Sequence, residues 1–338
     1  MTAQVNVGLI GAGRIGRVHA ETLAYRIPEA RLVAVADVFL DAAEKCATDY
    51  QIPLATADPQ VIFDDETIDA VIICSSTDTH AQFISAAAEA GKHIFCEKPI
   101  ALELGVIDTA LAAVERQGVK LQLGFNRRFD PNFKQARDMV AAGKIGTPHI
   151  VHIISRDPAP PPVEYIKVSG GIFLDQTIHD FDMARFLIDS EVEEVYAAGG
   201  VMVDPAIGAA GDIDTAVVTL RYANGAIGTI DNSRRAVYGY DQRIEVFGSE
   251  GSIVVANKTP HTAVYSHAGS VESAKPLYFF LERYMDAYLA EMKVFIDCIG
   301  QDTPPPVTGL DGRIPVVMGL AAWKSYRENR PVKLSEIA

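Results

Sequence analysis

The sequence predicts an α/β N-terminal domain built on a parallel doubly wound sheet, followed by an α+β C-terminal domain with a large open, mostly antiparallel sheet. Three observations carry this. A short apolar run ends in a glycine turn that opens a helix near the start of the chain. Through residue 124, β-branched runs alternate with helical patterns, the signature of a covered parallel sheet. After residue 125 the pattern changes to longer alternating segments divided by glycine-bearing turns. The expected domains are therefore 1–124 and 125–338.

VNVGLI (5–10) reads as the first strand and RVHAETLAYRI (17–27) as helix by its apolar spacing. Between them, Gly11, Gly13 and Gly16 fit GxGxxG, with Arg14 and Ile15 inside the turn. The first glycine permits the tight turn, the second admits a pyrophosphate against the backbone, and the third lets helix pack on strand, as in a Rossmann domain. The second strand, RLVAVAD (31–37), ends in Asp37, 21 residues after Gly16, where a carboxylate can accept both ribose hydroxyls and repel a 2′-phosphate. NAD is thus the expected cofactor, in preference to NADP. Further strands read at AVIIC (70–74), HIFC (93–96) and KLQLGF (120–125).

Ligands of such sheets bind outside the carboxyl ends of the strands. That singles out SSTDTH (75–80), with Ser75, Thr77 and His80, and EKP (97–99), with Glu97 and Lys98, as further cofactor-site candidates. His80 could equally cap the helix that follows. Lys98 could reach a substrate hydroxyl or the nicotinamide ribose; pairing with Glu97 or solvent is its structural alternative.

The second half offers β segments at 149–155, 216–222, 226–233, 243–248 and 252–256, proline connectors at 158–162 and 304–306, and a final helix over 314–329 that is free to pack back on the first domain. A cleft between the two domains is the expected place for a small-molecule site. Within GGIFLDQTIHDFD (170–182), Asp175 and His179 stand four apart, so on a helix they share one face. An exposed ion pair and a general base with its partner both fit that spacing. Adding Asp182 makes a metal set conceivable, but the cofactor turn and Lys98 favour hydride chemistry, and no metal is expected; Asp182 is read as a structural helix residue.

Composition narrows the function classes. With 30 basic against 44 acidic residues, the formal charge of −14 argues against nucleic acid or an anionic membrane as a main partner. Cys46, Cys74, Cys96 and Cys298 lack CxxC spacing, which indicates neither a zinc cage nor a disulfide framework. The opening residues lack the pattern of a signal peptide, and no apolar run reaches membrane-spanning length. A cytoplasmic protein is expected.

Through GAGRIG, Asp37, STDTH, EKP, GFNRRFD (124–130) and GGIFLDQTIHDFDMARF (170–186), the chain resembles the Gfo/Idh/MocA oxidoreductase family over nearly its whole length. Residues 155–173 and 233–248 carry the closest likeness, to members that oxidise inositol. The resemblance implies NAD-dependent oxidation of a ring secondary alcohol of a cyclitol, myo-inositol to 2-keto-myo-inositol, with scyllo-inositol or a hexose such as D-glucose or L-glucose as alternatives. It implies Lys98, Asp175 and His179 as the catalytic set, with His179 the base. It implies Asp157, Arg128, Tyr240, Tyr288 and Arg156 as substrate contacts, although each has a structural alternative as ion pair, turn or core residue. It also implies a homotetramer through the C-terminal sheet. Ser76, Leu174 and Gln176 depart from residues common in the family and bear on which sugar is taken. From another class, an NAD-sensing binding protein would keep the glycine turn and Asp37 but would need no proton relay.

Overall fold

The structure is a computed structural model that describes residues 4–337. It divides into two compact units, the first made of the described residues through Phe129 together with Asp286–Ile314, the second of Asp130–Met285 and the chain from Pro315 onward.

The first unit runs β1 (Val5–Ile10), α1 (Arg14–Arg26), β2 (Ala30–Ala36), α2 (Leu40–Tyr50), β3 (Leu54–Thr56), α3 (Gln60–Asp64), β4 (Ala70–Ile73), α4 (Thr77–Glu89), β5 (His93–Cys96), α5 (Leu104–Gln117) and β6 (Leu121–Leu123). Its six strands pair in parallel in the order β3-β2-β1-β4-β5-β6. Every residue of β4 is buried, as a parallel strand covered on both faces requires. The chain builds outward from β1 to β3, then crosses back to place β4 on the other side of β1. The strand order therefore reverses between β1 and β4, and GAGRIG and SSTDTH leave the sheet at that switch point, where such sheets bind ligands.

The second unit continues with α6 (Pro131–Ala141), β7 (Pro148–Arg156), α7 (Val163–Ile166), α8 (Ile172–Asp175), α9 (Thr177–Ile188), β8 (Val192–Gly200), α10 (Pro205–Ala209), β9 (Thr215–Tyr222), β10 (Ile227–Ser233), β11 (Asp241–Gly248), β12 (Gly251–Val255), β13 (Val264–Ser266), β14 (Val271–Ser273) and α11 (Phe280–Arg283); α12 (Met285–Gly300), α13 (Gly309–Glu328) and β15 (Val332–Lys333) complete the chain. Its seven-stranded sheet has the order β12-β11-β7-β10-β9-β8-β15. The sheet is mostly antiparallel, as the sequence pattern suggested, but β7 and β10 at its middle run parallel. The three consecutive strands β8, β9 and β10 return toward β7, so the last of them must lie beside it in the same direction.

One face of this sheet is buried and the other open. On β9, Ala216, Val218, Leu220 and Tyr222 point inward while Val217 and Arg221 face out. α9 packs on the inner face against β7 and β10 and is buried on nearly every side, leaving only His179 and Phe186 partly exposed.

The division expected at 124/125 is amended by α12. Met292, Phe295 and Ile296 join Leu9, Ile72 and Phe95 in the core of the first unit, so residues 286–314 return to it between the two stretches of chain that form the second unit. α13 starts earlier than the expected 314: Gly309–Ile314 belong to the first unit, where Gly309 leaves room for Leu111, and the helix from Pro315 belongs to the second. Among the described residues, no helix is long and apolar enough to cross a membrane.

Candidate active site

The glycine turn is shaped as its three positions demand. Gly11 has φ +99°, and a Cβ there would lie 2.5 Å from the backbone of Cys74, so the turn needs glycine both for conformation and for its approach to β4. At Gly16 a Cβ would stand 1.9 Å from the Gly11 carbonyl oxygen, which lets α1 close on the turn. Gly13 differs: a Cβ would meet no protein atom within 4 Å. The space beside it is open, and the first turn of α1 carries no acidic residue and Gly13 no side-chain cap, so the positive end of the helix dipole favours a phosphate there. Arg14 is exposed here, and Ile15 packs against the core.

Asp37 braces this turn. One carboxylate oxygen accepts from the Ala12 amide at 2.7 Å and the other from the Phe39 amide at 2.9 Å. A carboxylate has about four acceptor sites, so both oxygens can still accept from a ribose. The residues that follow, Val38 and Phe39, are exposed and apolar, with no arginine to favour a 2′-phosphate.

Lys98 is held from both sides within the same unit. Before it, Glu97 Oε1 lies 2.8 Å from His19 Nε2 on α1. After it, the Pro99 carbonyl lies 2.8 Å from His80 Nδ1, while His80 Nε2 lies 3.0 Å from the Ser75 carbonyl. His80, expected at the cofactor, is instead buried behind the two loops and ties SSTDTH to EKP. Burial lowers its pKa from the usual histidine value, although both carbonyl contacts pull it upward. As a neutral ring with one N–H, it can donate to only one of those carbonyls at a time. Ser75 is half-buried, its hydroxyl 2.7 Å from that of Thr79, and Thr77 opens α4 half-buried.

In the second unit, Gly170 and Gly171 both have positive φ, +84° and +77°. A Cβ on Gly171 would press on Trp323 and Asp212, and Trp323 Nε1 donates to the Gly170 carbonyl at 3.1 Å. This turn delivers Asp175 at the end of α8. Asp175 and His179 do not share one regular helix as their spacing suggested: α8 ends at Asp175, Gln176 is the junction, and His179 lies in the first turn of α9. Gln176 explains the junction. Its amide donates to the carbonyls of Ser155 and Ser233 at 3.1 and 3.2 Å, pinning the start of α9 to β7 and β10. Thr177 donates to Asn232 at 2.7 Å, and Asn232 donates to Asp180 at 2.8 Å.

Asp175 accepts from the Tyr165 hydroxyl at 2.8 Å and from Arg234 at 3.1 Å, and the same guanidinium reaches Asp212 at 3.2 Å. Arg234 is 1% exposed, a cation enclosed between two carboxylates. Burial alone would lower its pKa, but Asp175 and Asp212 together raise it, so it stays charged. Burial and then the Asp175 charge push the Tyr165 phenol up, which keeps it a proton donor to the carboxylate. The result is a carboxylate of fixed orientation four residues from a partly exposed imidazole.

Residues 5–125 match the oxidoreductase family with an NAD-binding Rossmann fold, and residues 133–254 match the GFO/IDH/MocA C-terminal domain. The chain belongs to the GFO/IDH/MocA oxidoreductase family. It is similar to the myo-inositol 2-dehydrogenase of Thermotoga maritima, 52% identical over 98% of this chain and 99% of that one. It is 39% identical to the scyllo-inositol 2-dehydrogenase (NAD(+)) of Bacillus subtilis over 99% and 97% of the two chains. Among solved structures, a putative myo-inositol dehydrogenase of Sinorhizobium meliloti superposes with a TM-score of 0.94 at 46% identity, covering 99% of this chain and 100% of that one.

As a GFO/IDH/MocA oxidoreductase, the chain has an NAD-binding Rossmann domain, and the geometry fits the dinucleotide: open space at Gly13, a helix N-terminus without an acidic residue in its first turn, and a carboxylate at the end of the second strand, Asp37. The residues expected at the substrate are distributed unevenly. Asp157 follows β7, half-buried, with its amide on the Ser233 carbonyl at 2.9 Å. Arg128, in the first unit, donates to Asp311 at 2.9 Å. Arg156 instead forms a pair with Asp231 at 3.0 and 2.5 Å and reaches Tyr238, because it stands in the outward-facing set of β7. Tyr240 is buried with its ring edge-on to Tyr284 in the second unit, and Tyr288 is buried with its ring edge-on to His19 in the first. Leu174 packs against Gly319 and Gln176 lies behind the helix start, so two of the three departures from the family pattern face inward; Ser76 is exposed before α4. Asp182 is fully buried on α9. Sequence reasoning missed Tyr165, Asp212 and Arg234, which fix Asp175 from 10, 37 and 59 residues away, and His19, which lay unremarked in the second turn of the cofactor helix.

Proposed function

We propose that this chain oxidises a ring secondary alcohol of a cyclitol with NAD, converting myo-inositol to 2-keto-myo-inositol. The observation that carries this reading is a carboxylate fixed by Tyr165 and Arg234 four residues before a partly exposed imidazole, on a chain whose full-length relatives are named inositol dehydrogenases. A secondary alcohol releases hydride only as its hydroxyl proton leaves, so the reaction needs a base that titrates near neutral pH. His179 takes that proton. Asp175, held by Tyr165 and Arg234, orients the ring and stabilises the imidazolium. Lys98 donates to the same substrate oxygen and favours its alkoxide character. NAD supplies the hydride acceptor; Gly11, Gly13, Gly16 and the α1 amides hold its pyrophosphate, and Asp37 its ribose. Asp157 and Arg128 pair with the other ring hydroxyls, and leaving such groups unpaired rejects an epimer strongly.

The active assembly is proposed to be a homotetramer formed through the open face of the second unit's sheet. Phe247, Ile150 and Ile227 are register partners across β11, β7 and β10 and are each about half exposed, a row of apolar surface suited to a second copy. The enzyme is proposed to work in the cytoplasm, where NAD and a polar polyol meet.

NADH absorbance with myo-inositol, scyllo-inositol, D-chiro-inositol, D-glucose and L-glucose tests the substrate. The highest kcat/KM with myo-inositol supports the reading. A preference for scyllo-inositol, the second reading that the Bacillus subtilis relative favours, moves the assignment within the class. NAD binding without turnover of any polyol overturns it in favour of a sensor.

A further inference from the structure

Behind Lys98, the first unit encloses a group of side chains to which the proposed mechanism assigns nothing. His19 on α1, Glu97 after β5 and Glu291 on α12 each bring one ligand-type atom within 4.8 Å of the others. His19 and Glu291 are fully buried and the Glu97 side chain is 13% exposed. Two features of this group have to be reconciled. The His19–Glu97 separation of 2.8 Å is that of a hydrogen bond. Two donors bound to one zinc ion at about 2.1 Å would stand roughly 3.4 Å apart, so this pair is bonded to itself rather than spread around a cation. Finally, neither oxygen of Glu291 has a hydrogen-bond partner among the described residues, nor does His19 Nδ1.

Counting donors and acceptors closes the group with one proton. If His19 gives its Nε2–H to Glu97, its Nδ1 is left as an acceptor, and Glu97 has acceptor sites remaining. The missing element is a donor. An ionised Glu291 would add only acceptors, and a buried carboxylate without donors or a cation is costly by several kcal/mol. A neutral Glu291 supplies one O–H from an oxygen within 4.8 Å of the pair, a gap that one water can bridge. Burial, and after it the charge of Glu97, raise the Glu291 pKa well above the ordinary glutamate value. Among the described groups at the cluster, Cys74 and Cys96 are buried thiols pushed upward, first by burial and then by Glu97, and Tyr288 meets His19 in a T-shaped ring contact. Lys98 and His80 lie on the loop side.

We propose that Glu291 is held as a neutral carboxylic acid that donates its proton to the Glu97–His19 pair, and that it is thereby a positioning residue for Lys98. The architecture suits this role. Glu97 and His19 are 78 residues apart and their bond ties the end of β5 to the cofactor helix. Gly124 leaves the space that Glu97 occupies, since a Cβ there would lie 2.8 Å from Oε2. α12 is fixed at this level by Gln122 of β6, which donates to the Glu291 carbonyl at 2.8 Å, and by Met292 and Phe295 in the core. A rigid wall of donor, acceptor and acid therefore stands behind the residue next to the proposed catalytic lysine. The inference rests on the assignment of Lys98 to the reacting hydroxyl.

Two readouts on the full-length protein test it. In the infrared difference spectrum of wild type against Glu291→Gln, a protonated-carboxyl stretch belonging to Glu291 is expected at neutral pH and unchanged to pH 9. In the kinetics, Glu291→Gln, which keeps shape and a donor, is expected to retain kcat within about threefold, whereas Glu291→Met loses about tenfold or more in kcat with the KM for NAD little changed and the melting temperature equal or higher. Absence of the band, or a Met variant as active as wild type, overturns the proposal. Stoichiometric divalent metal by elemental analysis, lost in Glu291→Gln, overturns it in favour of a cation site. Lys98→Met is the control: wild-type kcat there refutes the lysine assignment, while the infrared band still decides the state of Glu291.

Discussion

Within one short turn, Gly13→Ala and Gly16→Ala separate cofactor binding from folding. At Gly13 the backbone has φ −69°, which any residue adopts, and the added Cβ finds no protein atom within 4 Å. The stability cost is that of alanine in place of glycine at a helix N-cap, below about 1 kcal/mol. The added methyl does occupy the space through which a pyrophosphate approaches the backbone, and a misfit there of about 1.4 kcal/mol raises the NAD dissociation constant tenfold. At Gly16 the same methyl stands 1.9 Å from the Gly11 carbonyl oxygen and 3.0 Å from its carbon, so α1 or the turn must shift. Overpacking of that kind costs about 1–3 kcal/mol. The assay is paired: urea denaturation for stability and calorimetric titration with NAD for affinity. Gly13→Ala is expected to keep its midpoint and lose affinity at least tenfold; Gly16→Ala is expected to lose both. Wild-type NAD affinity in Gly13→Ala would refute the placing of the cofactor on this turn, and wild-type stability in Gly16→Ala would refute the packing argument.

Other outcomes follow from the charges. Arg234→Met leaves Asp175 and Asp212 without their shared cation and is expected to cost about 3–5 kcal/mol in denaturant unfolding, with kcat falling as Asp175 loses its orientation. Asp37→Ser removes the carboxylate that would repel a 2′-phosphate, so the ratio of kcat/KM for NAD to that for NADP is expected to fall at least tenfold, about 1.4 kcal/mol of discrimination. Asp241 is a stability switch at low pH. Burial would raise its pKa, but hydrogen bonds from Arg243, Tyr238 and Asn257 hold it at about 2. Because the folded value is depressed, the stabilisation is complete above about pH 4 and is lost as pH falls through 2; wild type should lose about 1–2 kcal/mol more than Asp241→Asn over that window in acid-titrated unfolding.

What the sequence revealed was local, and what it hid was relational. β1, β5 and the glycine turn were legible because strand, turn and helix follow one another without interruption, each with its own period. β3 spans three residues with a single large apolar side chain, too short to show an alternation. In β8 the register slips between Val192 and Glu194, so its inward set is out of phase with a simple period of two. The junction at Gln176 was hidden because its cause is two carbonyls on β7 and β10, 21 and 57 residues away. The same holds at the site. Asp175 and His179 announced themselves by spacing, whereas the groups that fix Asp175 are supplied by α7, β9's approach and the residue after β10. His80 is the opposite case: its motif placed it at the carboxyl ends of the strands, but its burial turns both ring nitrogens onto backbone. The return of α12 to the first unit had no local signal, because an amphipathic helix does not specify which core it completes.

The central claim is that a ring C–H hydrogen of myo-inositol passes to NAD while His179 takes the hydroxyl proton. Its most direct test is turnover of myo-inositol deuterated at C2 by wild type and by His179→Ala, with mass analysis of the NADH formed. Deuterium in the NADH of the wild type, and a loss of about 10²-fold or more in kcat in the variant that is partly relieved at high pH, is the predicted result. NADH without deuterium, or a His179→Ala variant that turns over at the wild-type rate, would contradict it.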